Sequence, residues 1–310
     1  MCPVAPATRR LPQRSTNESH SMGVGNSDVL IAQITDTHVG YDADAGENEF
    51  NFVRFREVLE HLRSQSVQPD LLILSGDITD NGQSDCYGRV RDLLAACPFP
   101  VHVIPGNHDN REELLRIFPD SPTADGFVQY AIEVDDLRIL CLDTFEPGRH
   151  GGAFCEIRAR WLASELAAYP DRPTVLFMHH PPVVAGIDWM DPRPQEAWFK
   201  RFHDTVAGQR QIVAIQAGHL HRPLHASVEG IPISVTPAVA PAVSLDLAAI
   251  DAEKADERAI VEAEPPFYSL HLWRGGTFVS HFQPVGPWQT LARYEDKLKP
   301  MMRGLFGERR

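Results

Sequence analysis

Runs of apolar residues alternate with amphipathic stretches along much of this chain. Five short apolar runs, each bounded by polar or turn-forming residues, are predicted to be buried strands: 29–34, 71–74, 101–104, 175–178 and 212–215. The stretches between them have the apolar spacing of helices: 52–62, 89–96, 112–118, 158–169 and 196–207. The repeated order of strand, loop and helix predicts an α/β protein with a mostly parallel sheet.

A short polar motif follows each of the five apolar runs. The motifs are Asp36-Thr37-His38, Gly76-Asp77, Gly106-Asn107-His108-Asp109, His179-His180 and Gly218-His219-Leu220-His221. In open α/β sheets the binding site lies beyond the carboxyl ends of the strands, so we expect the motifs to meet at one edge. Their carboxylate, carboxamide and imidazole groups are ligands of divalent metals, and they are too many for a single ion.

Each motif taken alone also has a purely structural explanation. An aspartate at a strand end often caps the next helix, and a Gly-Asn pair is typical of a turn. Residues two apart on an extended segment point to the same side, however, which predicts that His219 and His221 reach one location. The same spacing joins Asp36 to His38. The repetition of this pairing favours metal binding over helix caps and turns.

Composition narrows the class of protein. A chain of 310 residues with 43% hydrophobic content is able to bury a large core as one domain. No apolar run approaches the ~20 residues that span a bilayer, so no membrane partner is expected. The net charge of −13, without a long basic stripe, argues against a nucleic acid polymer as partner. The 5 cysteines lack CxxC spacing, which argues against disulfides or a thiolate metal site and favours a reducing cytoplasm.

The pattern divides the chain into three parts. Residues 1–27 are rich in Pro, Ser, Arg and Asn without apolar periodicity, which predicts a disordered N-terminal tail. Residues 28–286 are predicted to form the single folded domain. Residues 287–310 form a C-terminal tail that we expect to pack on this domain or, alternatively, on the partner in a homodimer. Its apolar residues at helical spacing are Leu291, Tyr294, Leu298 and Met301.

The ordered motifs resemble the calcineurin-like metallophosphoesterase family, and the likeness extends from about residue 29 to residue 221. Within that family the chain is most similar to the class III cyclic nucleotide phosphodiesterases and the bacterial glycerophosphodiesterases. This finer likeness depends on HHPP at 179–182 and LDTFEPGRHGG at 142–152. The resemblance implies an α/β fold in which a two-sheet β-sandwich is flanked by helices, the αββα metallophosphoesterase architecture. The strands predicted at 231–235, 268–273 and 277–281 would form the second sheet.

The resemblance also implies roles for individual residues. One ion would be bound by Asp36, His38 and His221, the other by Asn107, His179 and His219, with Asp77 bridging both. In the His179-His180 pair, the family pattern places the ligand before a spacer residue and a proline, which favours His179. Nitrogen and oxygen ligands without sulfur suit Mn, Fe, Co or Zn, so two divalent ions of this group are the expected cofactors.

The expected chemistry is that of a two-metal hydrolase. Two ions roughly 3.5 to 4 Å apart share a water, lower its pKa and present hydroxide to phosphorus. His108 follows Asn107 and is therefore expected to flank the phosphate, where it would stabilise an oxygen or protonate the leaving alkoxide. Asp80 stands three residues after Asp77, where many phosphatases of the family have an aspartate that orients this histidine. His108 and Asp80 are the predicted catalytic residues.

The predicted function is a metal-dependent phosphodiesterase that hydrolyses small phosphodiesters. The substrates expected are 3′,5′-cyclic nucleotides such as cAMP, or glycerophosphodiesters. The motifs define the reaction centre and not the leaving group, so a phosphomonoesterase or nucleotide pyrophosphatase of the same family is an alternative. A metal-binding scaffold without activity is a further hypothesis, although family members of that kind usually lack ligands and this sequence has the full set.

Overall fold

The structure is a computed structural model that describes residues 28–309 and the backbone of residues 8–10. The rest of the predicted N-terminal tail lies outside the described residues. The strands are β1 (Thr8–Arg10), β2 (Val29–Ile34), β3 (Leu71–Ser75), β4 (Val101–Ile104), β5 (Tyr130–Val134), β6 (Leu137–Cys141), β7 (Thr174–Phe177), β8 (Ile212–Ala217), β9 (Leu224–Val228), β10 (Ile231–Val235), β11 (Ala242–Val243), β12 (Val261–Glu262), β13 (Phe267–Arg274) and β14 (Thr277–Pro284). The α-helices are α1 (Phe50–Arg63), α2 (Ser84–Leu94), α3 (Arg111–Ile117), α4 (Glu156–Ala168), α5 (Ala197–Val206) and α6 (Lys299–Gly307). Short 3-10 helices cover Ala43–Asn48 and Asp296–Leu298.

These strands build two large sheets. One has the order β1-β5-β6-β7-β8-β10-β9, and the other has the order β14-β13-β2-β3-β4. Parallel pairing joins β2, β3 and β4 in the second sheet, and β6, β7 and β8 in the first. Strands β11 and β12 pair only with each other. Each large sheet therefore contains a parallel core whose strands end at the same edge.

Buried apolar side chains join the two sheets into one sandwich. Ile31 of β2, Ile139 of β6 and Phe177 of β7 belong to a single cluster that also includes side chains of α1 and α2. A second cluster packs Phe202 of α5 and Leu162 of α4 against the seven-stranded sheet. Burial on both faces explains why the parallel strands appear in the sequence as uninterrupted apolar runs. The predicted α/β sandwich flanked by helices is confirmed.

The division of strands between the sheets differs from the prediction. We expected the five apolar runs to share one sheet and the later strands to form the second, and this is wrong. Strands β13 and β14 extend the sheet of β2, β3 and β4, because β13 pairs with the free edge of β2. Strand β10 joins β8 in the other sheet. Each sheet thus combines segments distant in sequence, which a pattern of local hydrophobicity does not encode.

The C-terminal segment exposes its apolar side chains. Helix α6 begins at Lys299 and has Pro300 in its first turn, where the missing N–H of proline costs no hydrogen bond. Leu291 is 87% exposed, and Tyr294 and Met301 are more than half exposed. The alternative of a contact with a second copy stays a prediction. Among the residues that the structure describes, no helix combines the length and the apolar character needed to cross a bilayer.

Candidate metal centre

The polar motifs lie together where the parallel strands of both sheets end. The loops after β2, β3, β4, β7 and β8 carry, in this order, Asp36 and His38, Asp77, Asn107, His179, and His219 with His221. The backbone N–H of Gly218 donates to the carbonyl oxygen of His179 over 3.0 Å. The N–H of His219 donates to Asp36 Oδ2 over 3.0 Å, which connects one sheet to the other. The site therefore belongs to the shared edge of the two sheets.

An unusual backbone conformation marks the predicted ligands. Among the described residues, 9 residues other than glycine have positive φ angles, and five of them are Asp36, His38, Asp77, His219 and His221. This region of φ is strained for residues with a Cβ, and such strain is concentrated at functional sites. We expected each pair, Asp36 with His38 and His219 with His221, to reach the site from an extended segment, and this is wrong. Tight left-handed turns direct these side chains inward instead.

Four of the predicted ligands form one compact group, named here the first cluster: Asp36, His38, Asp77 and His221. Their ligand atoms all lie within 4.8 Å of one another. His221 Nε2 is 3.3 Å from Asp36 Oδ1 and 3.2 Å from His38 Nε2. His38 Nε2 is 3.5 Å from Asp77 Oδ2. Two carboxylates and two imidazoles around one point are a donor set that fits a divalent transition metal.

Hydrogen bonds on the far side of the rings direct the Nε2 atoms into the site. His221 Nδ1 donates to the carbonyl oxygen of Pro241 over 2.8 Å, and His179 Nδ1 donates to that of Ser75 over 2.9 Å. His38 Nδ1 lies 3.0 Å from Asp80 Oδ1. Such contacts fix the tautomer and leave the Nε2 lone pair available, which is the usual arrangement of metal-binding histidines.

The second cluster consists of His179, His180 and His219, whose ring nitrogens also lie within 4.8 Å of one another. His179 Nε2 is buried, stands 3.2 Å from Asp77 Oδ2, and has no hydrogen-bond partner within the described part of the chain. His180 uses both nitrogens, since Nδ1 contacts Thr144 Oγ1 at 2.8 Å and Nε2 contacts Asn107 Oδ1 at 3.1 Å. The unpartnered nitrogen of His179 is the atom that a metal ion would satisfy.

Charges at the site favour a bound cation. Burial raises the pKa values of Asp36 and Asp77, but the neighbouring histidines outweigh it, and the pKa of Asp77 is well below its ordinary value. Burial lowers the pKa of His179, yet the carboxylates of Asp77 and Asp36 raise it to about 9, so this position stabilises a positive charge, and a metal ion would replace the proton there. Burial and adjacent histidines hold the pKa of His219 well below its ordinary range, so this ring is neutral, as a metal ligand must be.

His108 and Asp80 lie beside the first cluster. The N–H of His108 donates to Asp77 Oδ1 over 2.8 Å, and its Nδ1 donates to the carbonyl oxygen of Asp80 over 2.9 Å. The carboxylate of Asp80 is farther away, at 3.7 Å from His108 Nδ1, and contacts His38 instead. This differs from the predicted role, in which the carboxylate orients His108. The backbone of Asp80 holds His108, while the side chain is already engaged by His38.

Two glycines allow the loops to approach each other closely. A Cβ on Gly106 would collide with the side chain of Asp77 and with His179 Nε2. A Cβ on Gly76, whose φ is 99°, would collide with the ring of His179. Both positions therefore require glycine for steric reasons.

Asp109 connects the loop of Asp77 to the loop of Asn107 and His108; from the sequence, either this role or a cap on the following helix was expected. Its Oδ2 accepts from Gly106 N (2.8 Å) and Ile78 N (3.2 Å). Its Oδ1 accepts from Tyr87 Oη (2.8 Å) and Thr79 N (3.2 Å). Helix capping is done by the next residue, Asn110, whose side chain accepts from the first turn of α3.

Replacing Asp109 by asparagine is expected to destabilise the protein. All four contacts of this carboxylate are with donors, so an amide NH₂ in its place would face N–H or O–H groups. Burial and the nearby Asp77 raise the pKa of Asp109 to about 6, so removal of the charge offsets part of the effect, and the loss of two hydrogen bonds predicts a decrease of about 1 to 3 kcal/mol in the free energy of unfolding. Urea denaturation measures it, with the exposed Asp92→Asn variant as control. Unchanged stability of Asp109→Asn would contradict the assigned contacts.

A cavity of about 240 Å³ opens next to the second cluster. The residues that line it include His180, His219, Arg149, Trp189 and Arg193. Arg149 belongs to the segment 142–152 that supported the finer resemblance. Trp189 and Arg193 were not predicted from the sequence, because they lie in an irregular loop without a motif.

Comparisons with known proteins agree with the geometry. The sequence model of the calcineurin-like phosphoesterases matches residues 29–223, which include all five polar motifs. A probable glycerophosphodiester phosphodiesterase of Arcobacter nitrofigilis is 32% identical over 251 residues, which cover 79% of this chain and 89% of that protein. A cAMP/cGMP dual specificity phosphodiesterase of Mycobacterium tuberculosis is 33% identical over 238 residues, which cover 72% of this chain and 71% of that protein.

A solved structure is similar in fold. The purple acid phosphatase from yellow lupin (Lupinus luteus) seeds superposes with a TM-score of 0.56 at 13% identity. The match covers 86% of this chain but 57% of the lupin chain, so this chain spans little more than half of that protein. At this identity the likeness is one of fold alone.

Proposed function

Because this chain belongs to the calcineurin-like phosphoesterase family, we propose that it is a hydrolase of small phosphodiesters that works with two divalent metal ions. The resemblance predicted from the five motifs is confirmed by the family match. The observation that carries the proposal is the meeting of two clusters of ligand atoms at Asp77, which contacts His38 of the first and His179 of the second.

The proposed ion sites use the two clusters with one change: Asn107 is included and His180 is left out, because both ring nitrogens of His180 already have partners. Asp36, His38 and His221 would hold one ion, and Asn107, His179 and His219 would hold the other, with Asp77 between them. Ions bound there would act as Lewis acids on the phosphate and lower the pKa of a water. Mn, Fe, Co and Zn all suit this donor set, and the unpartnered Nε2 of His179 supports a bound ion.

His108 is the proposed proton donor to the leaving group. Its Nδ1 donates to the carbonyl oxygen of Asp80, so Nε2 is the ring nitrogen that is left to face a substrate. The side chain is 36% exposed, which leaves this atom accessible to a substrate. A protonated Nε2 would donate to the departing alkoxide oxygen. Asp80 supports this step through its backbone and supports His38 through its carboxylate.

The cavity beside the second cluster favours a diester. A phosphodiester carries an alcohol group on each side of phosphorus, and the cavity gives one of them a place next to His180 and His219. Trp189 offers an aromatic face, and Arg149 and Arg193 offer hydrogen-bond donors. Cyclic nucleotides and, second, glycerophosphodiesters are the proposed substrates, and the two relatives are named for these reactions.

A substrate panel tests this proposal. Metal-free protein is reloaded separately with Mn²⁺, Fe²⁺, Co²⁺ or Zn²⁺ and assayed with cAMP, glycerophosphocholine, bis(p-nitrophenyl) phosphate and p-nitrophenyl phosphate. We expect faster turnover of the diesters than of the monoester, because the cavity binds the second alcohol group. Higher kcat/KM with the monoester would instead show a phosphomonoesterase.

We also propose that the protein is located in the cytoplasm and that it forms a homodimer. Cys86, Cys97, Cys141 and Cys155 are unpaired in the described part of the chain, which supports the predicted cytoplasmic location. A homodimer through the exposed apolar residues of the C-terminal segment stays a prediction. A measurement of the molar mass in solution tests it.

A further inference from the structure

A buried arginine outside both clusters binds the loop that supports His221. Arg54 lies on α1 and is 7% exposed. Its Nε donates to the carbonyl oxygen of Val239 over 2.6 Å, and its Nη2 donates to the carbonyl oxygens of Ala240 (3.2 Å) and Glu264 (2.8 Å). Burial lowers the pKa of Arg54 to about 10, so the guanidinium remains charged at neutral pH.

The same loop contacts two predicted metal ligands. The carbonyl oxygen of Pro241 accepts from His221 Nδ1 over 2.8 Å. The N–H of Ala240 donates to the carbonyl oxygen of Asp36 over 2.9 Å. Val239, Ala240 and Pro241 are consecutive, so the peptide groups that Arg54 binds are continuous with those that position the first cluster. No side chain of the loop is needed for this connection.

The sequence of the loop explains why an external donor is required. Residues 236–241 read Thr-Pro-Ala-Val-Ala-Pro, and the two prolines lack the N–H groups that a strand or helix would use. Val239 and Ala240 are buried, so their carbonyl oxygens have to find donors inside the protein. Arg54 supplies donors to both of these oxygens and anchors them to the rigid helix α1.

We propose that Arg54 is a positioning residue for the ion site of Asp36, His38 and His221, acting through the 236–241 loop. This inference rests on the proposed metal-dependent function. Loss of the guanidinium would free the Pro241 carbonyl oxygen to move and thereby release the orientation of His221. Loss of an outer partner of a metal-binding histidine lowers metal affinity about 10–100-fold. Arg54 and this loop do not position His179 or His219. We therefore expect the ion site of these two residues to keep its metal affinity.

The test uses the full-length protein stripped of metal. Mn²⁺ is titrated into wild type, Arg54→Met and Arg54→Lys, and binding is followed by calorimetry and by the electron paramagnetic resonance signal of free Mn²⁺. We expect two binding events in the wild type. In Arg54→Met, one event is weakened about 10–100-fold and the other is unchanged. Arg54→Lys keeps the charge but has fewer donors in a fixed geometry, so its loss is smaller.

Arg138→Met provides the matched control. Arg138 is also a buried arginine, but it binds Glu133 and Glu165, and neither contacts the clusters. We expect this variant to lower thermal stability without changing either Mn²⁺ affinity. Circular dichroism at the titration temperature verifies that each variant is folded. If Arg54→Met is not folded, the Mn²⁺ affinities of Arg54→Lys and the wild type are compared instead.

The outcomes separate this inference from the proposed function. If Arg54→Met binds both ions like the wild type and only its melting temperature falls, Arg54 has a structural role alone and the inference is wrong. Equal weakening of both events would also overturn it, because the effect would not be specific to one site. A wild type that binds none of Mn²⁺, Fe²⁺, Co²⁺ and Zn²⁺ would contradict the proposed function itself. Recovery of diesterase turnover by Arg54→Met at high Mn²⁺ concentration would support the inference.

Discussion

Replacing Asp77 by alanine is expected to remove metal from the protein and to abolish turnover of bis(p-nitrophenyl) phosphate. Asp77 belongs to the first cluster and contacts the second, with Oδ2 at 3.5 Å from His38 Nε2 and 3.2 Å from His179 Nε2. The variant loses this buried negative charge and the hydrogen bond from His108 N. The loss of activity should exceed the roughly 10–100-fold cost of removing an outer partner of a metal ligand.

Elemental analysis of the purified Asp77→Ala variant measures the loss of metal directly. Asp92→Ala is a suitable control, because Asp92 lies on the surface of α2 and pairs with Arg91. The control should retain the metal content and turnover of the wild type. Full metal content in Asp77→Ala would mean that the two clusters do not share this carboxylate as a ligand. A noncatalytic scaffold would show no turnover in either protein.

The substitution of alanine for His108 is expected to leave metal content unchanged and to lower kcat by about 10² to 10⁴. His108 contacts Asp77 through its backbone N–H, and alanine retains that group. What the variant loses is the imidazole, which we propose as the proton donor to the leaving alkoxide. The effect should therefore depend on the basicity of the leaving group.

Two substrates separate proton donation from a general loss of binding. An alkoxide leaving group, as in cAMP or glycerophosphocholine, requires a proton, whereas p-nitrophenolate leaves without one. We expect a large decrease for the natural diesters and a smaller one for bis(p-nitrophenyl) phosphate. His281→Ala, at an exposed position of β14, is the control and should behave as wild type. Equal decreases for both kinds of substrate would rule out the acid role of His108.

Local sequence patterns predicted the elements and the chemical groups of the site. The predicted strand 231–235 matches β10, and the predicted helix 52–62 lies within α1. The polar motifs stand directly after the strands, because loops at the carboxyl ends of parallel strands are free to carry function. The carboxylate and imidazole groups of Asp36, His38, Asp77 and His221 lie within 4.8 Å of one another, and so do those of His179, His180 and His219.

Reasoning from local spacing was less reliable about conformation. His219 and His221 reach the site through positive φ angles of 70° and 53°, not through an extended segment. The carboxylate of Asp80 contacts His38, although its position in the sequence pointed to His108. In both cases the motif identified the residue, but the local turn decided which neighbour its side chain meets.

The sequence by itself determined which segments are buried, which residues carry metal-binding groups, and that these groups follow strands. The periodicity of apolar residues and the chemistry of side chains are local properties, so they can be recognised in a single sequence. Only the tertiary structure decided that β13 pairs with β2, that the site joins two sheets, and that Arg54 binds the loop beneath His221. These contacts connect residues up to 244 positions apart, as between Val29 and Trp273 in the pairing of β2 with β13. Each of them uses a backbone group on at least one side, and because every residue possesses such groups, the sequence does not show which partner is chosen.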